Sequence, residues 1–155
     1  MLEAMVSHHP ARLTRAQLAT LARMKSTSGT FSTYLSNLRQ AGYLDERDGY
    51  LEATADGRAV LGAGPAFAPL TATQVRDQWR QAMRAGARRI LDTLVDAYPA
   101  SVTRVELAHA AGLEPTSGTF STYLSNLRRN GLVHETTEGL TAAAIQFQDP
   151  AGSIA

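Results

Sequence analysis

A chain of 155 residues holds one ordinary domain or two small ones, and its 44% hydrophobic and 19% charged content suits a globular protein. The absence of cysteine excludes disulfides, thiolate zinc sites and cysteine nucleophiles together. No apolar run approaches the roughly 20 residues of a membrane-spanning helix, and the start has no basic, then apolar, then small-residue leader, so the expectation is a cytoplasmic protein with no membrane partner.

The formal net charge is only +1, unevenly spread. Residues 1–61 carry seven Lys+Arg against six Asp+Glu, residues 73–98 five against three, and residues 99–155 three against five. This near-neutrality weighs against any surface built for nucleic acid, since many DNA-binding domains carry a basic face.

In chain order, residues 1–61 read as a first unit. A short helical start ends before Pro10. Thr14-Arg-Ala-Gln17 is a capping box, opening a short helix that breaks at Arg23-Met24. The segment Thr27–Arg39, TSGTFSTYLSNLR, then reads as an amphipathic helix. At 100° per residue, Phe31, Tyr34, Leu35 and Leu38 fall on one stripe, expected to be buried. Gly42 ends the helix with a left-handed cap. Tyr43-Leu44 and Tyr50-Leu51 flank Asp45-Glu-Arg-Asp-Gly49, whose Asp-Gly pair suits a hairpin turn.

Residues 62–72, small and proline-bearing, read as a linker. A connecting helix is expected over 73–89, continuing toward Ala97 and interrupted or weakened at Gly86, with Val75, Trp79 and Met83 on one side as core against the first unit. Arg76, Arg80, Arg84 and Arg88 fall four apart and form a slanting basic strip, either solvated or tracking phosphates.

The second unit, 90–147, repeats the first. Thr116–Arg128 is the same thirteen letters as Thr27–Arg39, at an offset of 89 residues, and Pro99, Thr103-Arg104, Leu107-Ala108, Gly131 and Leu140 also have counterparts at that offset. Duplication with little time to drift and constraint on the segment both account for the identity; the drifted flanks favour constraint. Ile90, Leu91, Leu94 and Val95 form a helical stripe stopped by Pro99, followed by the capping box Thr103-Arg-Val-Glu106 and a helix with Leu107, Ala108 and Ala111 inward. Leu132-Val133 and Leu140 bracket a second hairpin. Residues 148–155 read as a C-terminal tail. Met1 aligns with Ile90, so the first unit begins inside its own first helix; a short first helix and the tail of a longer protein both fit, the second slightly better. The order of three helices and a hairpin predicts two winged helix-turn-helix units, mainly α with small β-hairpin wings, joined by a linker and connecting helix.

The outer face of the repeated helix carries small polar groups. Backbone N–H groups near Ser28-Gly29 and Ser117-Gly118 suit phosphate oxygens, and the glycines allow close approach. Candidate contacts to DNA are Ser28, Gly29, Thr30, Ser32, Thr33, Ser36, Asn37 and Gln40, and in the second unit Ser117, Gly118, Thr119, Ser121, Thr122, Ser125, Asn126 and Arg129. Asn and Gln pair bidentately with adenine, Ser and Thr contact several base edges, and Arg129 in place of Gln40 favours guanine or phosphate. A merely solvated face with good capping residues is the competing reading. Arg39, Arg128 and Arg129 also complement the helix dipole.

No catalytic pattern emerges. His8, His9, His109 and His134 lack metal-ligand spacing, Gly62-Ala-Gly64 runs into Pro65 without a phosphate-loop lysine, and Ser, His and Asp are scattered. The expectation is a non-enzyme without metal or cofactor.

With its upstream Thr-Arg-x-Glu-Leu-Ala, the segment TSGTFSTYLSNLRRNGL resembles a winged-helix unit of bacterial proteins, in particular the C-terminal regions of HerA/FtsK-like ATPases, where a stretch such as Trp79–Arg89 (WRQAMRAGARR) precedes it. The resemblance covers most of residues 74–141 and the first unit more loosely. It implies a DNA-engaging accessory part of a larger motor whose ATPase motifs lie elsewhere. Two functions stay open: tandem binding of double-stranded DNA, and a protein-interaction module that assembles with an ATPase or another protein, favoured by the neutral charge.

Overall fold

The computed structural model describes residues 1–62 and 70–143. Most of the expected linker, and all of the expected C-terminal tail, lie outside the described residues. The chain divides into two compact units, one built on Met1–Ala82 and the other on Met83–Gln146. Just over half of the described residues are helical, in eight helices, and the rest of the regular structure is small antiparallel sheet.

In the first unit α1 (Leu2–Ser7) leads through β1 (Leu13–Thr14) into α2 (Arg15–Leu21) and then α3 (Gly29–Gln40). The capping box forms: Thr14 Oγ1 accepts from the Gln17 N–H and Gln17 Oε1 accepts from the Thr14 N–H. Two orphan donors are thereby satisfied where the chain passes from extended to helical. Ser28 caps α3 in the same manner, its hydroxyl accepting from the Phe31 N–H at 3.2 Å. A hairpin of β2 (Leu44–Arg47) and β3 (Tyr50–Ala53) follows, and β1 adds to its free edge, giving the order β1-β3-β2. Its tip has positive φ at both Asp48 and Gly49, the backbone that a two-residue turn between twisted strands requires. The chain then forms α4 (Ala55–Val60), capped by Thr54, and α5 (Ala72–Ala82). The core gathers Met5, Val6, Leu13, Leu18, Phe31, Leu35, Leu44 and Leu51.

The second unit opens with α6 (Ala85–Ala97), continues with α7 (Arg104–Ala110) and α8 (Gly118–Arg129), and closes with β4 (Val133–Glu135) and β5 (Leu140–Ala142). The 89-residue offset carries over to backbone pairing. Leu44 faces Ala53 as Val133 faces Ala142, and the Leu13–Leu51 pair recurs as a bridge between Val102 and Leu140. Both alternating patterns bury one face of the hairpin, which fixes the register, because a one-residue slip would turn that face to water.

Three expectations need correction. The interruption expected at Gly86 in the connecting helix over 73–89 falls earlier, at Met83 and Arg84, where Arg84 takes an extended backbone (φ −70°, ψ 153°) and divides the segment into two helices. The turn lets α5 bury Ala72, Val75 and Trp79 in the first unit while α6 buries Gly86, Ala87, Ile90, Leu91 and Leu94 in the second. Gly86 is therefore no weak point; a Cβ there would lie 2.2 Å from the Tyr123 ring, so glycine is what admits the ring. Tyr34, expected in the buried stripe, is 50% exposed.

Candidate nucleic-acid interface

The helices α3 and α8 have the same first eleven residues, and each turns one apolar side inward. Phe31 and Leu35 are buried in the first unit, and Phe120, Leu124 and Leu127 in the second. The candidate residues occupy the opposite side. Gly29, Thr30, Ser32, Thr33, Asn37 and Gln40 are exposed, with Ser28 and Ser36 half-buried. In α8 Gly118, Thr119, Ser121, Thr122, Ser125, Asn126 and Arg129 are exposed, and Ser117 is half-buried. Each set thus lies on a single helical face open to a partner.

Local bonds divide these residues by availability. Ser28 and Ser117 are caps, their hydroxyls occupied by the Phe31 and Phe120 N–H groups. The Ser32 and Ser121 N–H groups bond the carbonyls of Ser28 and Ser117, leaving the N–H groups of the first two residues of each helix at its open end. In α8 the Thr122 hydroxyl donates to the Gly118 carbonyl at 2.8 Å, and Ser121 Oγ accepts from Arg104 at 2.9 Å. The glycines are informative. Gly29 and Gly118 begin their helices without positive φ, and a Cβ on either would meet nothing within 4 Å. The fold itself has no need of glycine at these two positions.

Arginine stands beside both helix starts. The Arg15 guanidinium lies 5.5 Å from the Phe31 ring centroid, and that of Arg104 lies 4.9 Å from the Phe120 ring. Neither arginine is among the candidates named from the sequence. Their signal was present, since Thr14-Arg15 recurs as Thr103-Arg104.

At the other helix ends, Arg39 and Arg128 do more than complement the dipole. Arg39 pairs with Glu46 on β2, and Arg128 pairs with Glu135 on β4 at 2.9 Å, again at the 89-residue offset. These pairs neutralise carboxylates on hairpins that are otherwise acidic: Asp45 and Asp48 in the first, Glu138 in the second. Asp45 is itself met by Arg47 at 2.7 Å. The basic strip is not continuous. Arg76 and Arg80 sit on α5, Arg84 at the break and Arg88 on α6, and Arg80 lies 4.0 Å from Asp77.

The surroundings of the two helices differ in three places. Tyr123 rests on Gly86, whereas Tyr34 borders an open groove of about 400 Å³ with Met1, Leu2, Ala22, Met24, Asn37 and Leu38. Buried Asn130 follows α8, where exposed Ala41 follows α3. His8, at the end of α1, is buried edge-on to Trp79 with its ring centroid 6.4 Å away, and Ala97 stands at its counterpart. Burial lowers the His8 pKa below the ordinary imidazole value, partly opposed by the hydrogen bond from Nδ1 to the Ala4 carbonyl.

No family model, no curated protein and no solved structure matches the chain. Among the described residues no helix is long and apolar enough to cross a membrane.

Proposed function

We propose that each unit is a winged helix-turn-helix, with α2–α3 and α7–α8 as the helix pairs and the hairpins as wings, and that the chain binds double-stranded DNA through α3 and α8. The observation that carries this reading is the pair of exposed polar faces, alike down to glycines at positions 29 and 118 that nothing in the protein's own packing requires. Open N–H groups there receive phosphate oxygens, and Arg15 and Arg104 add positive charge beside them. Beyond the first turn, Thr33, Asn37 and Gln40, and Thr122, Asn126 and Arg129, face base edges in a major groove. The acidic hairpins stand away from phosphate, which leaves the helices as the contact. The likeness to HerA/FtsK-like ATPases supports a place as the DNA-engaging part of a larger cytoplasmic assembly, a binding module with the chemistry done elsewhere.

Fluorescence anisotropy with a labelled duplex tests the reading. Binding at 50 mM salt that weakens steeply as salt rises is expected. Replacing Thr33, Asn37, Thr122 and Asn126 together by Glu should abolish it through repulsion. A protein that leaves the duplex free at 50 mM salt is not a DNA binder. The second reading, an assembly module, is favoured by one observation, the exposed Tyr34 beside an apolar groove; light scattering that finds stable oligomers in a protein indifferent to DNA would select it.

A further inference from the structure

The two helices are nearly identical in sequence, yet one neighbouring residue makes them chemically unequal. Asn130, fully buried at the C-terminal end of α8, donates from Nδ2 to the Asn126 carbonyl at 2.8 Å and to Asn126 Oδ1 at 3.2 Å. The first bond satisfies a carbonyl of the last helical turn and fixes which end of the buried amide faces Asn126. The second bond engages the exposed Asn126 amide at its oxygen, so a base donor must compete with Asn130 for that acceptor, while the Nδ2 donors are not used by it. Ala41 stands at the same position after α3 and offers no side-chain donor to Asn37.

Adenine recognition by asparagine needs both ends of the amide, Oδ1 accepting from N6 and Nδ2 donating to N7. Asn37 keeps both ends available, and Gln40 beside it offers a second amide of the same kind. Asn126 keeps its donor while its oxygen already accepts one bond, and Arg129 beside it supplies only donors. Donors on both side chains match an edge made of acceptors, which in the major groove is guanine with N7 and O6.

Resting on the DNA-binding reading above, we infer that Asn130 is a positioning residue that sets base preference: α8 selects guanine where α3 selects adenine. The chain therefore recognises an asymmetric site in spite of its internal repeat.

Selection from a random duplex library with the full chain tests this. One unit is silenced at a time by the double change to Glu, at Thr33 and Asn37 or at Thr122 and Asn126. With the first unit silenced, guanine should be enriched over adenine about tenfold at the contacted position, and with the second silenced the preference should reverse. Asn130→Ala should return the α8 preference toward adenine. Because Asn130 is buried and its loss endangers folding, the exposed Ala41→Asn is the firmer variant: it should cost α3 about tenfold in adenine preference while leaving the melting temperature near wild type. Equal base preferences from the two units, or an Ala41→Asn variant that keeps its adenine preference, overturn the role of Asn130 and leave DNA binding standing. Failure of the wild-type chain to retain any duplex overturns both.

Discussion

The first and second units share a register, a pair of capping boxes, two capping serines and an arginine–glutamate link from helix to hairpin, yet their helices are seated differently. In the second unit α6 has thirteen residues, and its Gly86 receives the Tyr123 ring. In the first unit α1 has six, and Tyr34 is half exposed. The same side chain on the same helix is thus half-buried against a glycine in one unit and exposed in the other. Identical sequence fixes a local element, while burial is decided by what packs on it.

The largest break in this comparison should come from filling the Gly86 contact. Gly86→Val overlaps the Tyr123 ring and is expected to destabilise the second unit by about 3 kcal/mol. Tyr34→Ala should cost the first unit less than about 1 kcal/mol, as for an exposed residue. Urea denaturation of both variants measures the two values, and equal losses would refute the difference in seating.

Acid should separate the units next. The folded-state pKa of His8 lies below its unfolded value, so the folded state resists protonation. Its contribution is fully present above the unfolded value of about 6.5 and is lost as pH falls through and below it, at no more than about 1.4 kcal/mol per pH unit. Residue-resolved hydrogen exchange should show Leu13 and Leu18 losing protection between pH 7 and pH 5 ahead of Leu107 and Leu124, whose unit carries Ala97 at that position. His8→Gln should remove the difference.

A smaller effect concerns the turn after α2 and α7. Gly112 has φ 68°, and its counterpart Arg23 has φ 56°, a left-handed conformation that costs a side chain about 1 kcal/mol. Arg23→Gly is expected to recover part of that, offset by the greater freedom glycine gives the unfolded chain, for a net gain below about 1 kcal/mol in thermal unfolding. Gly112→Arg should lose about 1–2 kcal/mol. Smallest of all, Arg39→Ala and Arg128→Ala remove exposed ion pairs and should each shift stability by less than about 1 kcal/mol, to a similar extent in both units.

Much of this arrangement was legible in the residues. Thr14 with Gln17, Thr103 with Glu106, and Asp48-Gly49 act through neighbours two or three positions away, and local chemistry of that kind is written in the sequence. Features set by distant contacts were not. β1 has two residues, and only its pairing with β3 makes it a strand. The break at Arg84 follows from α5 and α6 serving different cores, although their apolar stripes run nearly in phase. Helix α4 is weakly marked because Gly57 dilutes its pattern; its local signals are Thr54, whose hydroxyl accepts the Gly57 N–H, with Asp56 in the first turn and Arg58 in the last. The candidate face was readable because thirteen repeated letters mark it, whereas the bond from Asn130 to Asn126 depends on a side chain outside those letters.

The most direct test of tandem recognition is a titration of the isotope-labelled full chain with a short duplex, followed by amide NMR shifts. Perturbations centred on Gly29–Gln40 and on Gly118–Arg129, at comparable DNA concentrations, are the predicted result. Shifts confined to the hairpin tips or to α5, with both helices undisturbed, would contradict it.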